Sequence, residues 1–97
     1  MPPSKSLVEA MRALGLEPVK KMPTLFFGQV KSLCDGDDIV CLLTVVQSKK
    51  HPDHYYSSIN LNNKAFTGTG YGRMDEIKND LHVLLVMYEV EQLRRMP

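Results

Sequence analysis

The stretch from Asp75 to about Arg95 constrains this chain most: it reads as one long helix that is apolar on two sides. Ile77, Leu81, Leu84, Leu85 and Tyr88 recur on one stripe, the expected core face, while Val83, Val86, Val90 and Leu93 recur on nearly the opposite side. A surface helix needs one apolar face, and a helix apolar on two sides is buried on two sides. A chain of 97 residues has room for a single core. The second stripe therefore calls for a separate cover. Either the N-terminus folds back, placing Leu7, Met11 and Leu14 over it, or another chain packs there.

The rest of the chain supplies strands and turns. Ile39 to Gln47 is a continuous run rich in Val, Leu and Thr, of strand length. Tyr55 to Asn62 alternates, with Tyr55, Ser57, Ile59 and Leu61 facing one way and Tyr56, Ser58, Asn60 and Asn62 the other. Asn62-Asn63-Lys64 reads as a hairpin turn, because Asn tolerates positive φ, and Ala65 to Thr69 returns as a third strand. Gly68, Gly70 and Gly72 suggest a tight exit from the sheet into the last helix. Ser6 and Glu9 fit a capping box for a short helix carrying Leu7, Met11 and Leu14, with Gly15 near its end. Glu17 to Met22 then reads as a linker, and Pro23 opens a second helix carrying Leu25, Phe26, Val30 and Leu33. Asp35-Gly36-Asp37-Asp38 ends it with a turn.

Composition narrows the function. With 43% hydrophobic and 24% charged residues, the chain is no disordered tail. Twelve Lys and Arg against eleven Asp and Glu leave a net charge of +1, which excludes the broad basic field of a non-specific nucleic-acid coat but not a local patch. Cys34 and Cys41, seven apart, read as reduced and buried or half-buried, which suits an intracellular setting, nuclear or cytoplasmic. No apolar run is long enough for a membrane span, and the Met-Pro-Pro-Ser-Lys start lacks a signal-peptide core and reads as that of an excised domain. Ser-His-Asp and Cys-His orders, a Gly-Lys-Ser/Thr phosphate loop and the His-x-Glu with Cys-x-x-Cys of zinc deaminases are all missing, so no enzyme and no cofactor are expected. His51 and His54 are three apart, but no further ligand type is concentrated nearby, so no metal is expected either.

Three stretches resemble one family, the double-stranded RNA-binding domain. Lys21-Met22-Pro23-Thr24-Leu25-Phe26-Phe27-Gly28-Gln29-Val30 is similar to that family's first helix. Thr44-Val45-Val46-Gln47-Ser48 with His51-Pro52-Asp53-His54 is similar to its first strand and loop. Asn62 to Gly70 is similar to its second turn and third strand. The Lys-x-Pro opening is also similar to domains attached to adenosine deaminases acting on RNA. The resemblance covers about residues 21–93 and implies shape reading of an A-form duplex across two minor grooves and the phosphates between them. It implies contacts from Gln29, assisted by Thr24 and Lys31, and from Lys49, Lys50, His51 and His54 in the loop. Arg73 and Lys78 stand at the start of the last helix, where Met74 and Asp75 replace the family's paired lysines. Asp75 and Glu76 suit a helix N-terminus but repel phosphate. For Gln29 and for the loop, a plain solvated polar surface stays open as the other reading.

The resulting expectation is an α+β fold in α-β-β-β-α order: a three-stranded antiparallel sheet with two helices on one face, preceded by an extra N-terminal helix. Residues 1–20 are read as an extension and 21–97 as the domain. Two functions follow. One is a double-stranded RNA-binding module with a weakened phosphate clamp that also self-associates. The other is a degenerate member used for homodimerisation or partner docking through Val83, Val86, Val90 and Leu93.

Overall fold

The computed structural model describes residues 4–33, 36–62 and 66–95. Its order is α1 (Lys5–Ala13), β1 (Leu16–Val19), β2 (Met22–Lys31), β3 (Asp38–Gln47), β4 (Tyr55–Leu61), β5 (Phe66–Gly72) and α2 (Met74–Arg95). The five strands form one antiparallel meander in the order β1-β2-β3-β4-β5. This is an α+β arrangement, but with five strands, and it replaces the expected three-stranded sheet of the RNA-binding family. Cys34, Asp35 and residues 63–65, on which parts of the expectation fall, lie outside the described residues.

The largest correction is β2. The segment opened by Pro23 pairs along its length with β3, from Leu25↔Thr44 to Lys31↔Asp38, instead of coiling into a helix. Phe26 and Val30 are four apart, so they share a face in a helix and in a strand alike. Neither period excludes the other there. The remaining residues favour the strand: Thr24, Phe26, Phe27 and Val30 are strand formers, and Gly28 weakens a helix interior by about 1 kcal/mol. Gly28 also lies where β1 crosses closest, since a Cβ there would stand 2.1 Å from the Gly15 carbonyl oxygen. The expected linker is likewise absent. Leu16 to Val19 is an edge strand, joined to β2 by a tight turn at Lys20-Lys21.

One face of the sheet carries the core. Leu16, Phe26, Ile39, Cys41, Leu43, Val45, Ile59 and Leu61 are buried there, and both helices cover them. Each large side chain so buried contributes about 1.5–3 kcal/mol. α1 is capped by Ser4, whose Oγ accepts from the Leu7 N–H at 3.2 Å, not by Ser6. It ends before Gly15, at φ +90°. Its Leu7 and Met11 are buried in the core beside β1, so α1 does not fold back over the second stripe of α2.

α2 lies along β5. Gly68, Gly70 and Gly72 alternate on the inner face of that strand and have no positive φ. Their role is to let the side chains of α2 lie close on the strand, not to make the expected turn out of the sheet. The Leu84 methyls stand 3.6 Å from where a Gly68 Cβ would be. Glu76 Oε1 accepts from the Arg73 backbone N–H at 3.3 Å, half of a capping box. Asp75 and Glu76 at the first turn and Arg94 and Arg95 at the last complement the helix dipole. Ile77, Leu81, Leu84, Leu85 and Tyr88 are buried, as their spacing predicts. Near the far end, Glu89 reaches the β2–β3 connection, accepting from Ser32 Oγ and from the Leu33 N–H.

Candidate nucleic-acid interface

No helix among the described residues lies over the opposite face of the sheet. Its side chains follow from register: Val46↔Tyr56 and Tyr56↔Tyr71 form one row, Thr44↔Ser58 and Ser58↔Thr69 the next, Leu42↔Asn60 and Asn60↔Thr67 a third. Tyr56 is 56% exposed and Tyr71 43%, unusual for neighbouring tyrosines in a small domain. Their rings lie 4.6 Å apart, and His54 stacks on Tyr71 at 5.4 Å with planes 25° apart. His51 extends the series, 5.5 Å from His54. Thr67 Oγ1 donates to Asn60 Oδ1 at 2.9 Å, leaving hydroxyl and amide groups beside the rings.

The loop of residues 48–54 brings charge to the same corner. It is a built turn, since the Ser48 N–H donates to the His54 carbonyl and the His54 N–H to the His51 carbonyl, both at 2.9 Å. The buried Ser48 hydroxyl accepts from the His51 N–H at 3.3 Å, and Gln47 Nε2 donates to the Pro52 carbonyl at 2.6 Å. Lys49 and Lys50 join Val46, Gln47, Ser48 and Tyr56 around a shallow concavity. Arg73 closes the other side through an ion pair with Asp53 at 3.4 Å. The hydrogen bond from His54 Nδ1, at 2.8 Å, holds the Asp53 carboxyl below its usual range, helped by the nearby Arg73 charge. Lys49, Lys50, His51 and Arg73 thus lie about one carboxylate and three neighbouring rings, His54 stacked on Tyr71 and Tyr56 tilted against it.

Of the residues that sequence reading nominated, the fold gathers Lys49, Lys50, His51, His54 and Arg73. It disperses the others. Gln29 is not on a helix. It is exposed on the helix-free face opposite Val40, six residues along β3 from the row of Val46, or about 20 Å. Thr24 is exposed near the start of β2, and Lys78 is exposed on α2, on the other side of the sheet. Reading the strands missed Tyr56 and Tyr71. Alternation already pointed Tyr56 outward with Ser58 and Asn60, but Tyr71 lay beyond the expected end of its strand.

Other chemistry is sparse. Cys41 is fully buried, and burial pushes its thiol up to about 11. No group of three metal-ligating side chains occurs among the described residues. No helix there is long and apolar enough to cross a membrane. No protein-family model, curated protein or solved structure matches the chain.

Proposed function

We propose that this domain binds single-stranded RNA across the helix-free face of its sheet. The observation that carries the reading is the Tyr56–Tyr71–His54 ring cluster, with both tyrosines exposed and Lys49, Lys50, His51 and Arg73 at its margin. Every base has a π-face, so exposed aromatic rings on a sheet face accept unpaired bases. Basic side chains beside them follow the phosphates. Ser58, Asn60, Thr67 and Thr69 offer donors and acceptors to a ribose 2′-hydroxyl, which favours RNA over DNA. A duplex hides its bases and is read from separated surfaces, whereas here the aromatic and basic groups share one corner. Cys41 as a buried thiol suits an intracellular setting, nuclear or cytoplasmic.

Fluorescence anisotropy with an RNA strand of about ten nucleotides tests this, beside duplex RNA and DNA strands as competitors. Tyr56→Ala and Tyr71→Ala should each weaken binding by roughly 5- to 150-fold, the equivalent of about 1–3 kcal/mol per stacked base. Replacing Lys49 and Lys50 with Glu should lower affinity and flatten its salt dependence. A Tyr56→Ala/Tyr71→Ala protein that binds as the parent does refutes the stacking surface. Tighter binding of duplex RNA, indifferent to both tyrosines, would return the argument to duplex recognition.

A further inference from the structure

The second stripe of α2 is open. Val83, Val86, Met87, Val90 and Leu93 are between 42% and 59% exposed, and no described segment of the chain covers them. Two shallow grooves flank this ridge. One is lined by Asp80, Val83, Leu84 and Met87 with Ile59 of β4 and Gly68 and Thr69 of β5, the other by Val86, Met87, Val90, Glu91 and Arg94 with Phe66. Met87 borders both.

The order of residues along the ridge says what fits it. Asp80, Val83, Met87, Val90 and Arg94 follow one another at steps of three, four, three and four, the spacing of a helix–helix seam. Asp80 and Arg94 stand seven residues either side of Met87 and carry opposite charges; Asp80 is half-buried at the edge of the ridge, its carboxylate over Gly70 of β5, and Arg94 is exposed. Among the described residues neither is in an ion pair, whereas the neighbouring Arg95 is bound to Glu91 at 3.1 Å. Such a pattern is its own complement when reversed. A second α2 laid antiparallel about Met87 sets Asp80 against Arg94 of the other copy at both ends, with Val83 against Val90 between them. A parallel pairing would set like charges together. We infer that a second copy of this chain occupies the ridge, forming a two-fold dimer with antiparallel α2 helices. The five apolar side chains and two end charges offer on the order of 500 Å² per copy, at the lower end of specific interfaces. Self-association is therefore expected at roughly 10–100 μM rather than nanomolar concentration. The inference does not rest on RNA binding, because the ridge and the tyrosine row lie on opposite sides of the sheet.

Sedimentation velocity of the 97-residue chain from about 5 to 500 μM reads the equilibrium directly. The parent should pass from monomer to dimer over that range. Asp80→Arg alone, and Arg94→Asp alone, should each weaken association at least about tenfold, since each creates two facing like charges. The double exchange Asp80→Arg/Arg94→Asp should restore the parental constant, and circular dichroism of each variant checks that the fold is kept. Arg94 is exposed near the helix end, so Arg94→Asp remains informative if Asp80→Arg unfolds. Met87→Asp, at the two-fold axis, should abolish the dimer. A parent that stays monomeric at the highest concentration overturns the inference and leaves the ridge to a different partner. Single charge variants that dimerise as the parent does overturn the antiparallel seam.

Discussion

Gly28→Ala tests the feature that most separates this fold from the expected one, the hairpin of β1 and β2. A Cβ at Gly28 would lie 2.1 Å from the Gly15 carbonyl oxygen and 3.0 Å from Leu16 Cα. Both neighbours are backbone, so no rotamer change relieves the contact. β1 would have to retreat by about 1 Å, loosening hydrogen bonds worth about 0.5–1.5 kcal/mol each. That retreat also uncovers part of Leu16, whose full burial contributes about 1.5–3 kcal/mol. Against this, Ala restricts the unfolded chain and returns up to about 1 kcal/mol. The net loss should be about 2–4 kcal/mol. Gly68→Ala is the control. Its Cβ would meet both Leu84 methyls at 3.6 Å, an ordinary contact, so the same substitution should be neutral or stabilising by up to about 1 kcal/mol. Urea unfolding followed by far-ultraviolet circular dichroism measures both. With a denaturant slope of about 1–1.5 kcal/mol/M, the midpoint should fall by roughly 2 M in the first variant and hold or rise in the second. A Gly28→Ala protein as stable as its parent would refute the close crossing of β1, and with it the register Leu16↔Gly28.

Three further outcomes are expected. Glu89→Ala should cost about 2 kcal/mol and speed amide exchange at Leu33, because that N–H loses its acceptor, while Glu89→Gln, still an acceptor, should cost less in the same urea assay. The folded-state value of about 11 for Cys41 lies above its ordinary 9.0, so its contribution is fully present below pH 9 and is lost as pH rises towards 11. That loss should reach about 2–3 kcal/mol at most and shrink in Cys41→Ala, as urea titrations at pH 8 and pH 11 would show. Asp53→Asn removes the one carboxylate in the loop cluster and frees Arg73, so the RNA affinity read by anisotropy should rise severalfold.

Much of the scaffold was legible because its periodicity is local. Ser57, Ile59 and Leu61 are buried on the face their alternation assigns. Asn62 ends that strand at φ +52°, the conformation its side chain tolerates. The candidate site was only half legible. Lys49, Lys50, His51 and His54 announce themselves as a polar loop, and the structure keeps them together. The tyrosine row depends on β5 continuing to Gly72, which sets Tyr71 beside Tyr56. Three glycines in seven residues concealed that strand, because their use lies in contact with side chains of the helix that follows it, Glu76, Asp80 and Leu84.

By itself the sequence determined the strands β3 and β4, the helix α2 and the two apolar faces that helix presents. Each follows from which residues recur at two or at 3.6 positions, whatever surrounds them. Only the tertiary structure decided that β2 is a strand. Phe26 and Val30 satisfy both periods, and the choice fell to backbone pairing with β1 on one side and β3 on the other. It likewise decided that Leu7 and Met11 serve the core, leaving the ridge about Met87 open. A pattern in the chain specifies which face must be covered. What covers it depends on which residues, distant in sequence, reach that face first with the better fit.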